Sequence, residues 1–346
     1  MQTIYNLTYT QLENLLESRG EKRFRAKQIW TWLYRKRITE LNEMTDIKKS
    51  LIEELEKEFY ISPLTLTTKQ KSKDGTIKFL FKTYDGSLLE AVLMTFSYGK
   101  SLCVTSQIGC SMGCTFCASG LLKKQRDLAS GEIVAQVLYA QKYLDKYEER
   151  VSNIVVMGTG EPFDNYDNVM NFCDTINSDL GLAIGARKIT ISTCGVVEGI
   201  YDFANEHKQY NLAISLHAPD DKLRSELMPI NKVHNIDELM EALDYYSKEN
   251  NRRITLEYIL LHGINDTKEM AMKLAELVKG RNAYINLIPY NAVDENSFKK
   301  TDEKSAFKFY DLLMKNGVKA TLRQEHGGDI DGACGQLRAK YHKKGE

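Results

Sequence analysis

No run of apolar residues in this chain approaches the roughly 18 needed to cross a bilayer as a helix. The opening stretch MQTIYNLTYTQLENLLESRG lacks the basic start, apolar middle and small-residue cleavage site of a secretory signal. Net charge is also missing: 47 Lys and Arg stand against 47 Asp and Glu. Total charge therefore says nothing about partners; only its distribution can. The lack of a span and of a signal predicts a cytoplasmic protein with no membrane partner. A monomer is expected, though none of these absences bears on oligomeric state. A disulfide framework is disfavoured as well, because the seven cysteines are odd in number and the compartment is reducing.

What is present reads as globular, with 42% hydrophobic and 27% charged residues. The 346 residues suffice for one large domain and a small accessory one. Residues 1–60 read as helices. Gly20 is placed as a C-cap, Phe24, Ile29, Trp32 and Leu33 form an apolar stripe, and Thr45 is placed to cap a third helix. In residues 61–101, TLTTKQKS, TIKFLFKTY and SLLEAVLMTF are separated by Asp74-Gly75 and Asp85-Gly86. Asp-Gly between apolar or alternating runs is a hairpin signal, so this segment reads as a β-meander.

From residue 102 to 346 short β-branched runs recur: LCVTSQ, NIVVMG, KITIST, LAISLH, RITLEYIL, YINLIP and VKATLR. Helix-like stretches lie between most of them. That alternation predicts an α/β fold with a parallel sheet, and the number of units suits a full or partial (β/α) barrel. Barrels of this kind place their chemistry at the C-terminal strand ends. The unusual residues do follow strands: the cysteines after LCVTSQ, Gly158-Thr159-Gly160-Glu161, Ser192-Thr193, Ser215 to His217, and Asn291.

Three of the seven cysteines, Cys110, Cys114 and Cys117, form a CxxxCxxC. Three thiolates on one loop can hold three irons of a [4Fe–4S] cluster and leave the fourth open to a small molecule. A closed zinc site wants four ligands, usually in paired CxxC elements, and no second pair exists. A distant fourth ligand keeps zinc as the alternative. The other cysteines are Cys103, Cys173, Cys194 and Cys334; a small buried side chain is the default for Cys173 and Cys194.

The CxxxCxxC with Phe116 before its last Cys, just after the first strand of the repeat, resembles the radical-SAM superfamily. Gly158-Thr159-Gly160-Glu161-Pro162 resembles that superfamily's GGE element. Residues 329–337, Asp-Ile-Asp-Gly-Ala-Cys-Gly-Gln-Leu, are similar to the C-terminal signature of the RlmN/Cfr family of adenine methyltransferases. RFRAKQIWTWLY (23–34), ISLHAP (214–219), LMPIN (227–231) and NLIPYN (286–291) match too, so the resemblance covers essentially the whole chain. The chain departs from the family pattern at Thr159 (usually Met), Cys194 (usually Ser) and Gly332 (usually Ala).

The resemblance implies a partial (β/α) barrel core and a reaction that uses two S-adenosylmethionine (SAM) molecules per turnover. One methylates Cys334; the second is cleaved to a 5′-deoxyadenosyl radical that activates this methyl for addition to adenine. Adenine C2 lies between two ring nitrogens and is too electron-poor to attack a methyl itself, hence the radical route. By the same resemblance Glu90 removes the ring proton, and Cys103 attacks the Cys334 sulfur, leaving a transient Cys103–Cys334 disulfide. Gly160, Glu161, Ser192, Ser215, Leu216, His217 and Asn291 are implied to contact SAM. The implied substrates are adenosine 2503 of 23S rRNA and adenosine 37 of certain tRNAs, with an electron donor such as flavodoxin. Taken without the family, Cys103 reads as a buried core thiol, Glu90 as solvent-facing or salt-bridged, and His217 as a packed histidine.

Residues 19–37 carry eight Lys and Arg against Glu21, with Trp30, Trp32 and Tyr34 interleaved. This makes 1–60 a candidate RNA-binding accessory domain, against the alternative of a solvated face over a buried tryptophan stripe. Arg338, Lys340, His342, Lys343 and Lys344 add charge near the catalytic loop. The base must leave its stack to reach a buried radical. Two other readings stand beside adenine C2: Cfr-type methylation at C8, and a non-enzymatic Fe–S or zinc RNA-binding protein.

Overall fold

The structure is a computed structural model and describes residues 1–292 and 296–337. The basic tail from Arg338 onward lies outside the described residues.

The short strand β1 (Gln2–Thr3) pairs with β2 (Phe59–Tyr60), closing a helical N-terminal segment. Thr8 and Gln11 form a reciprocal capping box that starts α1 (Tyr9–Ser18), and Gly20 takes a left-handed φ of 76° just beyond its end. In α2 (Phe24–Thr31) and the turn after it the buried stripe differs from the predicted one. Ile29, Trp30, Leu33 and Tyr34 are buried, Phe24 is exposed and Trp32 is half-buried. The Trp32 indole instead donates to Asp46 and carries Lys36 over its ring. Thr45 caps nothing: a turn through Met44–Ile47 intervenes, and α3 (Lys49–Glu58) starts behind Lys48.

The meander is present with its predicted turns. β3 (Leu64–Lys71), β4 (Ile77–Thr83), β5 (Leu88–Phe96) and β6 (Gly99–Val104) are antiparallel neighbours. Gly75 and Gly86 sit at φ near 87° and 86°, where a side chain would be strained, and each preceding aspartate accepts from the backbone two residues on. A two-stranded ribbon, β7 (Gln107–Ile108) with β8 (Arg126–Asp127), brackets the cysteine loop.

Beyond it, strands and helices alternate. The helices are α4 (Ser130–Asp145), α5 (Tyr166–Asn177), α6 (Val197–Asn205), α7 (Asp221–Leu227), α8 (Ile236–Asn250), α9 (Lys268–Val278) and α10 (Glu303–Lys315). The strands are β9 (Val151–Val156), β10 (Ile189–Thr193), β11 (Asn211–Ser215), β12 (Ile254–Leu260), β13 (Ala283–Pro289) and β14 (Ala320–Leu322). Among the described residues one ten-stranded sheet runs β14-β13-β12-β11-β10-β9-β6-β5-β4-β3. Its parallel part is the predicted partial barrel, and it does not close because the antiparallel meander continues one edge.

Alternation along the strands gives the sheet two faces. Ile189, Ile191 and Thr193 of β10 lie buried on one, while Thr190 and Ser192 lie half-buried on the other, the concave side. Register carries that concave row across the sheet: Lys78 faces Val92, Val92 faces Cys103, Cys103 faces Val155, and Val155 faces Thr190. One hydrophobic core links Leu12 and Trp30 to Val134 of α4 and to Ile191 and Leu256 of the sheet. Each such buried side chain contributes about 1.5–3 kcal/mol. The helices thus hold the outer face rigid and leave the concave one for polar groups.

Candidate active site

The cysteine loop is held at both ends by backbone bonds. Cys110 N donates to Leu122 O (3.1 Å), and Thr115 N donates to Leu227 O at the end of α7 (3.0 Å). Gly109 is required here: its φ is 76°, and a Cβ would lie 2.1 Å from Lys123 O. Phe116 packs edge-on against the His217 ring, with centroids 4.9 Å apart. Burial pushes all three thiols upward, Cys110 to about 11. For Cys114 the other two thiols add to the rise. Ligation by metal would therefore release protons. No trio of His, Cys, Asp or Glu among the described residues converges as ligands of a single ion would. A four-iron cluster binds each cysteine to a different iron and so uses a more widely spaced set. Cys110 and Cys117 each lie near enough to raise the Cys114 pKa, so the loop gathers three thiols in one place as such a cluster needs.

The loop after β9 is packed by glycine. A Cβ on Gly158 would fall 2.6 Å from Thr105 Oγ1, and Gly160 has φ 113° with Gln107 and Ser106 against it. Glu161 is buried and accepts from Phe163 N (3.0 Å) and Cys194 N (2.8 Å). Burial raises its pKa, and those hydrogen bonds oppose the rise. Its carboxylate thus ties the loop after β9 to the loop after β10. Thr159 bonds to Ser119 (3.2 Å), and Ser119 donates to Leu337 O (2.8 Å). Cys194 is buried beside this junction and Cys173 is buried in α5.

Ser192 and Ser215 are half-buried at the ends of β10 and β11, and Leu216 is buried. His217 has a left-handed φ of 57°, and its Nδ1 accepts from Ile259 N (3.1 Å). Burial, reinforced by the Arg224 charge, lowers its pKa to about 3. The ring is therefore neutral, with its proton on Nε2. Its folded value lies below the unfolded one of about 6.5. The unfolded chain binds the proton first as pH falls, so stability is lost from about pH 6.5 downward, by about 1.4 kcal/mol per unit at most. Urea unfolding at pH 7 and pH 5 should show this loss, and His217→Asn should reduce it. An unchanged slope in the variant would refute the assignment.

A cavity of about 630 Å³ opens on the concave face. Cys103, Cys117, Gly158, Asn291, Arg323 and Cys334 are among its lining residues. Cys117 thus borders the same cavity as two thiols that lie far from it in sequence. Cys334 is exposed, and Arg323 Nη1 lies 3.9 Å from its sulfur. The Cys334 sulfur is the main reason that the Arg323 pKa is raised. Burial pushes Cys103 up to about 12; the Cys334 charge adds to this and Arg323 opposes it. The Cys334 loop is docked by Asn291 Nδ2 on Cys334 O (3.2 Å), Ala118 N on Gly335 O (2.7 Å) and Gln336 Nε2 on Ala292 O (3.1 Å). Glu90 is buried rather than solvent-facing, and its carboxylate pairs with Lys78 (3.2 Å).

Glu161, Ser192, Ser215, Leu216 and His217 sit at the same mouth but do not line this cavity. Three functional candidates are not evident from the sequence. Arg323 ends VKATLR, where the strand-end rule could have flagged it. Lys78 is a lone charge inside the apolar run TIKFLF. Arg224 is fully buried and donates to Cys194 O (2.6 Å), Leu216 O (3.3 Å) and Asn231 Oδ1 (2.8 Å). Nothing in its local sequence, DKLRSEL, distinguishes it from a surface arginine.

The predicted basic surface changes character. Arg19 pairs with Glu58, Arg23 with Glu17, Arg25 with Glu21 and Arg37 with Asp145, while Trp30 and Tyr34 are core residues. Much of the positive charge is neutralised in place, and of the three interleaved aromatics only Trp32 is half-exposed.

The profile of the Radical SAM superfamily matches residues 104–275, and that of the ribosomal RNA large subunit methyltransferase N-terminal domain matches residues 2–61. The chain is 55% identical to a probable dual-specificity RNA methyltransferase RlmN of Listeria welshimeri, over 99% of this chain and 95% of that one. It is 54% identical to the corresponding protein of Exiguobacterium sibiricum, over 99% and 97%. A crystal structure of a radical SAM methyltransferase from Sphaerobacter thermophilus superposes with a TM-score of 0.95 at 41% identity, covering 98% of this chain and 100% of that one.

Proposed function

Because the chain belongs to the RlmN family of radical-SAM RNA methyltransferases, we propose that it methylates C2 of adenosine 2503 in 23S rRNA and of adenosine 37 in certain tRNAs. The observation that carries this reading is one cavity lined by Cys103, Cys117 and Cys334. A thiol that accepts a methyl group, a second thiol that releases the product and one cysteine of the metal loop all border the same space.

Cys110, Cys114 and Cys117 would hold the [4Fe–4S] cluster. With two SAM molecules per turnover it supplies an electron, a methyl group and a hydrogen-abstracting radical. The protein's own groups do the rest. Cys334 displaces the methyl from SAM as a thiolate, with the Arg323 guanidinium beside its sulfur. Asn291 holds the Cys334 backbone at the rim. Once adenine is joined through a methylene to Cys334, the adduct would return the one electron to the cluster, and Glu90 takes the proton from the ring carbon. Cys103 then attacks the Cys334 sulfur: the S–S bond forms, the S–C bond breaks, and its electron pair and a proton complete the new methyl. Gly160, Glu161, Ser192, Ser215, Leu216, His217 and Asn291 border the SAM site. Residues 1–60 act as the RNA-binding accessory domain, 61–101 as the meander extension and 102–346 as the catalytic core. The enzyme works as a cytoplasmic monomer supplied by an electron donor such as flavodoxin.

The test is mass spectrometry of nucleosides from rRNA and tRNA of cells with and without the gene. 2-methyladenosine is expected to vanish in the deletion strain, and its persistence refutes the proposal. Gain of 8-methyladenosine on expression would assign the Cfr-type reaction instead. Anaerobic reconstitution should give an Fe–S absorbance band and 5′-deoxyadenosine; zinc retention with neither would exclude the enzyme reading.

A further inference from the structure

The Lys78 ammonium lies among buried groups and makes two contacts. It stands 3.2 Å from Glu90 Oε1 and donates to Asp331 O, also at 3.2 Å. Lys78 and Glu90 are diagonal neighbours on the concave face, since Lys78 faces Val92 and Glu90 faces Leu80. Asp331, by contrast, belongs to the loop that carries Cys334.

The rest of the β3–β4 hairpin grips the same loop. Asp74 Oδ2 accepts from Gly327 N (2.9 Å) and lies 3.5 Å from His326 Nδ1. Lys73 N donates to Asp329 Oδ2 (3.2 Å). Gly327 has φ 68°, and a Cβ there would stand 2.9 Å from Thr76 Cγ2. Burial raises the Asp74 pKa, but hydrogen bonds from Thr76 N and Gly327 N outweigh it and hold the carboxyl well below its usual range.

A buried Lys–Glu pair costs much of its attraction in desolvation, so stability alone is a weak reason for it. Fixed geometry is a better one. We propose that Lys78 is a positioning residue: one buried ammonium sets the Glu90 carboxylate and the Cys334 loop at a fixed separation, with the hairpin tip Ser72–Thr76 as the clamp around it. The proposal rests on the roles given above to Glu90 and Cys334. The proton acceptor and the carbon carrier act on the same ring carbon, so their spacing must be held closely. A misplacement of about 1 Å can cost about a hundredfold in rate.

The experiment uses the reconstituted holoenzyme with Lys78→Met, Lys78→Arg and the double variant Lys78→Met/Glu90→Gln. The double variant removes the carboxylate charge that Lys78 no longer balances, a burden that could unfold the single one. Two readouts are taken. Hydrogen exchange of peptides spanning residues 326–337 should quicken about tenfold in K78M and in the double variant, and stay near wild type in K78R. Single-turnover reactions with an adenine-containing RNA substrate should show K78M about a hundredfold slower, with more protein halted as the covalent RNA adduct. KM for SAM and RNA should be unchanged, and K78R should restore release. Unchanged exchange in the double variant, or a wild-type adduct fraction in K78M, overturns the proposal. Should wild-type protein form neither methyl-Cys334 nor an adduct, the catalytic reading fails instead, and the exchange measurement still decides the clamp.

Discussion

Cys334→Ala is expected to produce a protein that folds, loads iron and binds SAM, yet leaves adenine unmethylated. The loss should be on the order of a million-fold, the scale seen when a covalent nucleophile is removed. The argument is one of chemistry: the methyl group must be carried on an atom that becomes joined to the base, and alanine offers none. Cys334 is also the exposed thiol beside Arg323, so its removal opens no core cavity. Iron content, thermal melting and SAM binding serve as controls. Methylated adenosine formed by C334A at even one thousandth of the wild-type rate would remove Cys334 from the mechanism.

Cys103→Ala should fail at a later stage and leave a visible product. Methyl acceptance and carbon–carbon bond formation do not use Cys103, so the RNA becomes attached and stays attached. Protein purified from cells, or incubated with RNA, should run as a covalent complex on denaturing gels. After nuclease digestion the peptide containing Cys334 should carry an adenosine mass. Wild-type protein should show nearly none. Burial holds the Cys103 thiol up at about 12. Little of it is therefore thiolate at pH 7 before substrate arrives. Release should accordingly quicken as pH rises from 7 to 9, because the attacking form grows more abundant. Loss of one buried sulfur costs about 1 kcal/mol of stability, too little to explain a trapped adduct by unfolding. Intact activity without a cross-link would exclude Cys103 as the resolving thiol.

Features written in a few consecutive residues are legible in the amino-acid order alone. The Asp-Gly hairpins, the alternating strands and helices, the end of α1 at Gly20 and the CxxxCxxC loop all depend on local preference or on ligands borne by one short segment. Expectation and fold part where a contact elsewhere in the chain decides the outcome. Trp30 and Trp32 are two residues apart on one helical segment, and propensity cannot say which is buried. The core takes Trp30, while Asp46 and Lys36 engage Trp32. Thr45 loses its capping role to a turn that periodicity does not reveal. Arg19 and Arg37 read as part of an open basic surface because their partners Glu58 and Asp145 are remote in sequence.

By itself, then, the amino-acid order determined the class of fold, the meander, the loop of three thiols and, through resemblance, the kind of reaction. Tertiary structure alone decided that Cys103 and Cys334 border the same cavity as Cys117, that Arg323 stands beside the Cys334 sulfur, and that Lys78 joins Glu90 to the Cys334 loop. The reason is that a loop ligand set is established by covalent connection over a few bonds. Meetings between β4, β6, β14 and the chain near its C-terminus are set by strand order and register, which only the packed sheet defines.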